Sequence, residues 1–507
     1  MSTPEGDGIP TPGLVLTGSR ALGFLAAFLL VLLSACTSTP QPSTPDSCRG
    51  RYLAFEEFAA QQGVSLSDPR RVAGFPSLGT NRSLASFDPL LLTQVQRADW
   101  FARLQAAGVE RRQLLNTMLA DSVAHSPLSE WLAGLDLQSC DGQNQLAAKD
   151  DTLDWEALWA AAQVEDDYIA ARRVLGLYPL SSIFAGLGIQ ALQAKIHDSY
   201  ALPLSEIPRQ GRLLRYSPAD SAGAAKSKQD TAFVLNKLDR DSLGLRLDQH
   251  TNGLLTGLFL HHAPTLEIDE VGSYDIPGKP YFDAEGAPRV SSESTYAYHY
   301  ASLMPFAGKL RLQLNYVFWF DERPPENAMD SLSGSLDGLV WRATLDEHGE
   351  VLLYDSIHPC GCYQQFFLTD RVEARAENAA LREPPLIPQK APSADGPVLR
   401  ISSGSHYLQR VYSSTADAAH DLSSRRYELV SYSDLYSLDS AEGSRTLFDA
   451  NGLVPGTQRG ERFYLWPMGI RSPGAMRERG RQPTAFVGRR HFDDADLLDK
   501  LFKQVQP

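Results

Sequence analysis

The most chemically suggestive stretch of this sequence is YDSIHPCGCY, residues 354–363. We interpret it as the continuation of a strand, in which side chains two positions apart share a face. His358, Cys360 and Cys362 would then project together, and an imidazole with two sulfurs suits zinc or copper. The alternative that we favour is a Cys360–Cys362 disulfide, for which Gly361 supplies the backbone freedom. A redox-active pair and free thiols stay open.

Histidines elsewhere in the sequence provide further candidate metal ligands. His261 and His262 lie in LHHAPTLEIDE, which we interpret as a strand, so only one of them faces a given side. That histidine, with His299 and His358, would form a zinc or copper site if three strands are neighbours. No zinc-protease, serine-hydrolase, P-loop or dinucleotide-binding motif accompanies these residues. A metal-dependent enzyme built around His358 is therefore an alternative interpretation, and whether the chain is an enzyme stays open.

Carboxylates follow the histidine pair in the same segment. Glu267 and Asp269 share one face of the predicted strand, and Glu270 lies on the other. Carboxylates so arranged suit calcium binding or acid–base chemistry. Pairs of this kind are also common on ordinary strands, so we favour a structural or surface role.

A basic cluster near the C-terminus stands out in an acidic chain. Guanidinium groups bind phosphate and carboxylate through paired hydrogen bonds, so the cluster is a candidate anion-binding site. In the alternative that we favour, the arginines pair with the protein's own carboxylates, including Asp493, Asp494 and Asp496. The six arginines are Arg471, Arg477, Arg479, Arg481, Arg489 and Arg490.

The composition is that of a large globular protein. The 507 residues are 43% hydrophobic and 9% aromatic, which is enough for two or three domains with packed cores. The formal net charge is −14. Nucleic-acid binding requires basic surface to replace counterions, so we expect no nucleic-acid partner.

The segment 48–208 has the spacing of helices. Tyr52, Phe55 and Phe58 recur on one helical face, and further aromatic residues repeat the pattern. One helical candidate, Leu175–Ala191, is apolar and contains three glycines but no charged residue. It is either a membrane-dipping segment or, as we favour, a buried connector.

The remainder of the chain favours strands. Residues 309–320, KLRLQLNYVFWF, alternate with period two, and residues 346–349 form the turn of a predicted hairpin. We assign 209–382 to one β-rich region, 383–397 to a proline-rich loop or linker, and 398–507 to a second β-rich part ending in a short helix. The predicted fold is α+β, with a helical N-terminal domain and a larger, sandwich-like antiparallel β domain.

The N-terminus has the layout of a secretory signal. Arg20 precedes the apolar run Ala21–Leu33, whose ~20 Å helical length is too short for a bilayer core of ~30 Å. The run ends in Leu33-Ser34-Ala35-Cys36, which resembles the lipobox of bacterial lipoproteins. The resemblance implies that residues 1–35 are a signal peptide and that Cys36 receives diacylglycerol and then an N-acyl chain.

The resemblance also implies where in the cell the protein is located. Thr37 follows the lipobox cysteine where an aspartate would retain such proteins in the inner membrane, which favours the outer membrane. Residues 36–47, rich in Ser, Thr and Pro, read as a tether. We therefore expect a lipid-anchored envelope protein that binds an envelope glycan, lipid or protein.

Four cysteines remain once Cys36 is assigned to lipid. An even number in an oxidising compartment predicts pairing. We expect Cys48 to pair with Cys140 and Cys360 with Cys362, although three pairings are possible.

Overall fold

The computed structural model describes residues 44–123, 128–144, 153–219, 249–392, 396–413, 423–440 and 443–505. The predicted signal peptide, Cys36 and most of the tether lie outside the described residues. The lipid anchor therefore stays a prediction.

The described residues of the 48–208 region are helical, as the sequence predicts. The region also contains a small hairpin of strands β1 (Arg70–Val72) and β2 (Phe75–Thr80). The helices are α1 (Cys48–Gln61), α2 (Arg82–Ala85), α3 (Gln94–Val123), α4 (Leu128–Gly134), α5 (Leu137–Asn144), α6 (Trp155–Ala161), α7 (Ala170–Leu175) and α8 (Tyr178–Ala201).

The predicted disulfide between Cys48 and Cys140 is confirmed. It joins the first residue of α1 to α5, with the two Cα atoms 5.4 Å apart. Helix α1 begins at Cys48 because the Ser47 hydroxyl accepts a hydrogen bond from the Gly50 N–H. Close to the disulfide, the Asp141 carboxylate accepts a hydrogen bond from the Tyr52 hydroxyl at 2.8 Å, which further ties α5 to α1.

One large sheet dominates the rest of the fold. It has eleven strands in the order β13-β11-β10-β9-β8-β7-β16-β3-β4-β14-β15 and forms a half-barrel. Its strands are β3 (Arg212–Pro218), β4 (Thr265–Glu270), β7 (Tyr296–Phe306), β8 (Lys309–Arg323), β9 (Gly334–Leu345), β10 (Val351–Ile357), β11 (Gln365–Leu368), β13 (Leu386–Lys390), β14 (Pro397–Ile401), β15 (Leu408–Ser413) and β16 (Ser424–Ser431).

The sheet is mixed, so the prediction of a purely antiparallel, sandwich-like domain is wrong. Strand β16 runs parallel to both of its neighbours, and β4–β14 and β11–β13 are also parallel pairs. The two edge strands, β13 and β15, lie close to each other. The Gln389 side chain on β13 donates a hydrogen bond to the Val411 carbonyl on β15 at 2.6 Å. Parallel neighbours are joined by long connections, which local alternation does not reveal.

Among the described residues, short strands, three further α-helices and several 3-10 turns lie outside the large sheet. Strands outside the large sheet are β5 (Lys279–Phe282), β6 (Pro288–Ser291), β12 (Val372–Ala374), β17 (Leu438–Ser440), β18 (Gly443–Arg445) and β19 (Phe502–Gln504). The later α-helices are α9 (Gln249–His262), α10 (Arg462–Leu465) and α11 (Leu497–Leu501). Single turns of 3-10 helix span Leu204–Glu206, Ser273–Asp275, Ala376–Ala380, Tyr432–Tyr436 and Trp466–Met468.

Strand β8 shows why the two parts of the fold pack together. The alternation predicted from Lys309 to Phe320 is present, and both faces of the strand are buried. Tyr316 and Phe318 face the concave side, where α9 packs among aromatic residues. Trp319 faces the other side, in a core shared with Trp131 of the helical region. A strand covered on both sides joins the two cores.

Four sequence assignments differ from the structure. Leu260–His262, the start of a segment predicted as a strand, belongs to the last turn of α9, and Phe463–Trp466, in a part predicted as β-rich, falls in α10 and the turn after it. Short apolar runs do not distinguish a strand from a buried helix turn. The segment 383–397 contains β13, and strands before and after it belong to the same sheet. The C-terminal helix α11 is followed by β19.

Candidate functional site

Helix α8 carries an apolar face that points to solvent. No charged residue occurs from Val174 to Ala194, and the apolar side chains recur at helical spacing on the exposed side. Leu177 is 66% exposed and Phe184 is 69% exposed, so the prediction of a buried connector is wrong. None of the helices in the described ranges combines the length and apolar character needed to span a bilayer. The exposed residues are Val174, Leu175, Leu177, Leu180, Ile183, Phe184 and Leu187.

An aromatic turn extends this apolar face. Phe463 is 72% exposed and Tyr464 is 57% exposed, and Trp466 begins the 3-10 turn that packs against α7 and α8. We call the exposed residues of 174–187, together with Phe463, Tyr464 and Trp466, the apolar surface. Exposed apolar patches of this extent mark sites of interaction with proteins, ligands or membranes.

A cavity of about 550 Å³ lies beneath α8 and opens beside the apolar surface. Phe184 and Tyr464 belong both to the surface and to the cavity wall. Its volume falls within the ~300–1,000 Å³ of typical small-molecule sites. The apolar part of the wall consists of Phe184, Ala185, Ile189, Leu192, Ile196, Leu332, Leu386, Leu465, Met468 and Phe486.

One polar side chain in the cavity wall is poorly hydrogen-bonded. Gln364 is 94% buried, and neither its amide nitrogen nor its amide oxygen makes a hydrogen bond of normal geometry. The amide lies close enough to the Asp355 carboxylate to favour its charged form. A buried amide that is poorly hydrogen-bonded costs up to about 1–3 kcal/mol. By contrast, the Glu383 carboxylate in the same wall accepts two backbone N–H groups at 2.8 Å.

A chain of hydroxyl groups adds a donor to the same part of the wall. Arg323 donates to the Tyr407 hydroxyl at 3.0 Å, and Tyr407 donates to the Tyr363 hydroxyl at 2.6 Å. Arg323 can only donate, which fixes the direction of the first of these two bonds. Tyr363 accepts in the second bond and lines the cavity, so its own hydroxyl hydrogen is available to a ligand there.

Glu461 is a second acidic group in the cavity wall. Burial raises the pKa of its carboxyl to about 7, against the opposing effect of Arg459 and Arg323. Near neutral pH this side chain therefore changes between a neutral acid and a carboxylate. The cavity combines an apolar body with polar side chains in its wall, among them Tyr363, Gln364, Glu461 and the Glu383–Arg490 pair.

Cys360 and Cys362 are free thiols, so the predicted disulfide between them is wrong. Strand β10 ends at Ile357, and the chain then turns: the Gly361 N–H donates to the His358 carbonyl at 2.8 Å. The three side chains are therefore not positioned by strand alternation. Gly361 has a φ of +90°, and a Cβ there would lie 2.2 Å from the Pro483 carbonyl oxygen. Cys362 lines the cavity, and Cys360 is buried behind it.

The structure does not bring the candidate metal-binding histidines together. His358 Nδ1 lies 3.1 Å from Asp337, which also contacts His406 at 3.0 Å. The ring of His299 packs against Phe259, with ring centroids 4.4 Å apart. Across the described ranges, no three His, Cys, Asp or Glu side chains are arranged to hold a metal ion.

The histidine pair lies on a helix and not on a strand. His261 and His262 are the last two residues of α9, with ring centroids 4.7 Å apart. Burial lowers the pKa of His262 to about 3. His262 is therefore neutral in the folded protein, and its position differs from that assumed in the predicted metal site.

The carboxylates on β4 form internal ion pairs. The strand itself is confirmed, from Thr265 to Glu270. Glu267 pairs with Arg215 at 2.6 Å, and Asp269 pairs with Arg400 at 2.7 Å. Both carboxylates are buried, which supports the structural role that we favoured.

Four arginines of the C-terminal cluster pair with carboxylates, as our favoured alternative states. The partners come mainly from the helical region and not from Asp493, Asp494 or Asp496. The pairs are Arg479–Glu110 at 2.8 Å, Arg481–Asp167 at 2.7 Å, Arg489–Asp166 at 2.9 Å and Arg490–Glu383 at 3.8 Å. Arg471 is exposed, and its carbonyl accepts a hydrogen bond from Arg477.

A second cavity, of about 500 Å³, lies between α3 and β7, and we call it the polar cleft. Arg479 connects the two sides, because it contacts Glu110 of α3 and lies 3.6 Å from Asp68. Burial raises the pKa of Asp68 to about 8 in spite of Arg479. Asp493, in the same wall, pairs with Arg342 at 3.1 Å. The charged groups of the cleft are thus engaged with one another.

Comparison with known proteins gives no relative to guide the assignment. No protein-family model, curated protein or solved structure matches this chain. The function is therefore argued from the site alone.

Proposed function

We propose that this protein is a lipid-anchored bacterial envelope protein that binds an acyl-chain amphiphile in the cavity beneath α8. The ligand has one long apolar chain and a small carboxylate or ester head. The observation that carries the proposal is a mainly apolar cavity of about 550 Å³ that opens beside the apolar surface and has polar side chains in one part of its wall.

The wall of the cavity matches the two parts of such a ligand. Leu192, Ile189 and Met468 belong to its apolar wall, where burial of an alkyl chain contributes roughly 0.8 kcal/mol per methylene. The Tyr363 hydroxyl in the wall supplies an O–H donor for an oxygen of a carboxylate or ester. Few polar groups in an otherwise apolar pocket fix the orientation of a ligand.

The predicted anchor and the apolar surface support a membrane source for this ligand. Lipid on Cys36 would hold the body near a bilayer, since two or more acyl chains anchor stably. Exposed aromatic residues such as Phe463, Tyr464 and Trp466 resemble those found at membrane interfaces. An acyl chain leaving the bilayer along α8 would then reach the cavity without crossing charged surface.

A substitution at Gly188 tests the binding site without weakening the fold. Gly188 lines the cavity on α8, and a Cβ there has no heavy atom within 4 Å. We expect Gly188→Leu to occupy the cavity and to lose most of the affinity for a fluorescent C16 fatty acid. Replacing glycine inside a helix stabilises it by about 0.5–1 kcal/mol, so thermal unfolding should not occur earlier.

Gly186→Ala is the matched control on the same helix. Its Cβ would lie 4.0 Å from Val487, an ordinary contact, and Gly186 is outside the cavity wall. This variant should bind the fatty acid as the wild type does. Equal binding by Gly188→Leu, or no binding by the wild type, would contradict the proposal.

A further inference from the structure

Arg477 is a buried cation without an ionic partner among the described residues. It is 1% exposed, and its Nε and Nη1 atoms have no hydrogen-bond partner. The remaining nitrogen, Nη2, donates to the carbonyls of Arg471 and Ser472. Asp167, the nearest carboxylate that acts on it, is paired with Arg481. An uncompensated buried charge is costly, so a charge-balancing anion is expected at this position.

The two free thiols lie near the Arg477 guanidinium. The electrostatic neighbours of its guanidinium include both Cys360 and Cys362. The thiols are in hydrogen-bonding contact with each other, and the Cys362 N–H donates to the Cys360 sulfur at 3.3 Å. The Gly361 turn holds this arrangement, since the Pro483 carbonyl leaves no space for a Cβ.

We propose that Cys360 and Cys362 form a two-coordinate site for a soft monovalent metal ion, with Arg477 as the counter-charge. Two thiolates and one Cu(I) ion make a complex of net charge −1. Binding releases the two thiol protons, and the single positive charge of Arg477 then neutralises the complex. The oxidation state of copper does not change.

The number and type of ligands favour Cu(I) over zinc. Thiolates are the ligands preferred by Cu(I), whereas structural zinc requires four ligands. The described residues offer no third His, Cys, Asp or Glu for this site. Cys362 is in the wall of the cavity beneath α8, so an ion can reach the pair from that cavity.

Competition with a chromophoric Cu(I) chelator under anaerobic conditions tests the site on the reduced wild-type chain. We expect one equivalent of Cu(I) to transfer from the chelator to the protein. Cys360→Ser and Cys362→Ser should each abolish the transfer. Arg477→Met should lower the affinity roughly 10–100-fold, as substitutions behind metal ligands do.

Arg489→Met is the control, because Arg489 lies in the same segment but is exposed and paired with Asp166. It should bind Cu(I) as the wild type does, and near-UV circular dichroism should show that all variants are folded. Failure of the reduced wild type to take up Cu(I), or retention of the ion by Cys362→Ser, would overturn the site. Unchanged affinity in a folded Arg477→Met variant would overturn the role of the arginine. Gly188→Leu should still bind Cu(I), which separates this test from that of acyl-chain binding.

Discussion

The cavity beneath α8 and the polar cleft are similar in volume, about 550 and 500 Å³, but differ in how their polar groups are used. In the polar cleft, Arg479 contacts Glu110 and Asp68, and Asp493 pairs with Arg342. In the cavity beneath α8, the Gln364 amide is poorly hydrogen-bonded and the wall is mainly apolar. The polar cleft has more charged residues than the cavity beneath α8, but these residues are already paired. The number of charged residues in a cavity therefore does not identify the ligand site.

The polar groups of the polar cleft stabilise the fold, whereas the cavity beneath α8 offers polar groups to a ligand. Ion pairs such as Arg479–Glu110 connect the C-terminal segment to the helical region. A ligand in the polar cleft would have to compete with these internal pairs. A ligand in the cavity beneath α8 would instead contact a mainly apolar wall and would have few internal pairs to displace. Three substitutions test this distinction.

The largest effect is expected at the ion pair behind the polar cleft. Arg342 and Asp355 are both fully buried, with a distance of 2.6 Å between Nη2 and Oδ2. Arg342→Met would leave the Asp355 carboxylate buried without its cation, at a cost of about 3–5 kcal/mol. Urea denaturation followed by tryptophan fluorescence measures this loss.

Arg489→Met is the comparison for that measurement. The Arg489–Asp166 pair is exposed, so its removal should change the free energy of unfolding by less than about 1 kcal/mol. A similar loss in both variants would show that burial does not set the strength of these pairs.

The raised pKa of Asp68 leads us to expect that the free energy of unfolding depends on pH. Its pKa is about 8 in the folded state against 3.8 as the ordinary value, so the folded state holds a proton that the unfolded state has released. The free energy of unfolding should therefore fall as pH rises from about 5.5 to 8, by on the order of 1–3 kcal/mol from this group. Asp68→Asn keeps the neutral form and should reduce that fall.

Urea denaturation of both proteins at several pH values isolates the contribution of Asp68. Glu478, whose pKa burial raises to about 7, contributes in the same direction in both proteins. Only the difference between wild type and Asp68→Asn is therefore informative. An identical pH dependence in the two would mean that Asp68 is ionised in the folded protein.

Local patterns predicted the parts of the fold that local forces determine. The alternation from Lys309 to Phe320 identified β8, and the position of two cysteines in an oxidising context identified the Cys48–Cys140 bond. The parallel pairing of β16 with β3 and β7 was not predicted, because it joins segments far apart in the sequence.

The candidate site was less predictable than the fold. Pairing of the arginines was foreseen, but Arg479 contacts Glu110, 369 residues away, where nearby aspartates were expected. Gln364 carries no sequence signal, because a glutamine becomes notable only when its surroundings leave it poorly hydrogen-bonded. The apolar run from Leu175 was visible in the sequence, yet its exposure depends on what packs beside it.

The smallest effect is expected at Glu461, whose charge should change the affinity of the cavity beneath α8 for a fatty acid. Glu461 has a pKa of about 7, so it becomes negatively charged as pH rises from 6 to 8. Affinity for a fatty acid carboxylate should weaken by up to about tenfold over this range, because two like charges would then share a site of low polarity. Glu461→Gln keeps the wall neutral and should bind with little dependence on pH.

A lysophospholipid probe, whose ester head carries no carboxylate, is the control for this measurement. Its affinity should change little with pH in either protein if Glu461 acts on the charge of the fatty acid. A pH dependence that survives in Glu461→Gln would assign the effect to another group. Binding of the fatty acid but not of the lysophospholipid would restrict the ligand to free acids. Binding of both would show that the acyl chain, and not its head group, contributes most of the affinity.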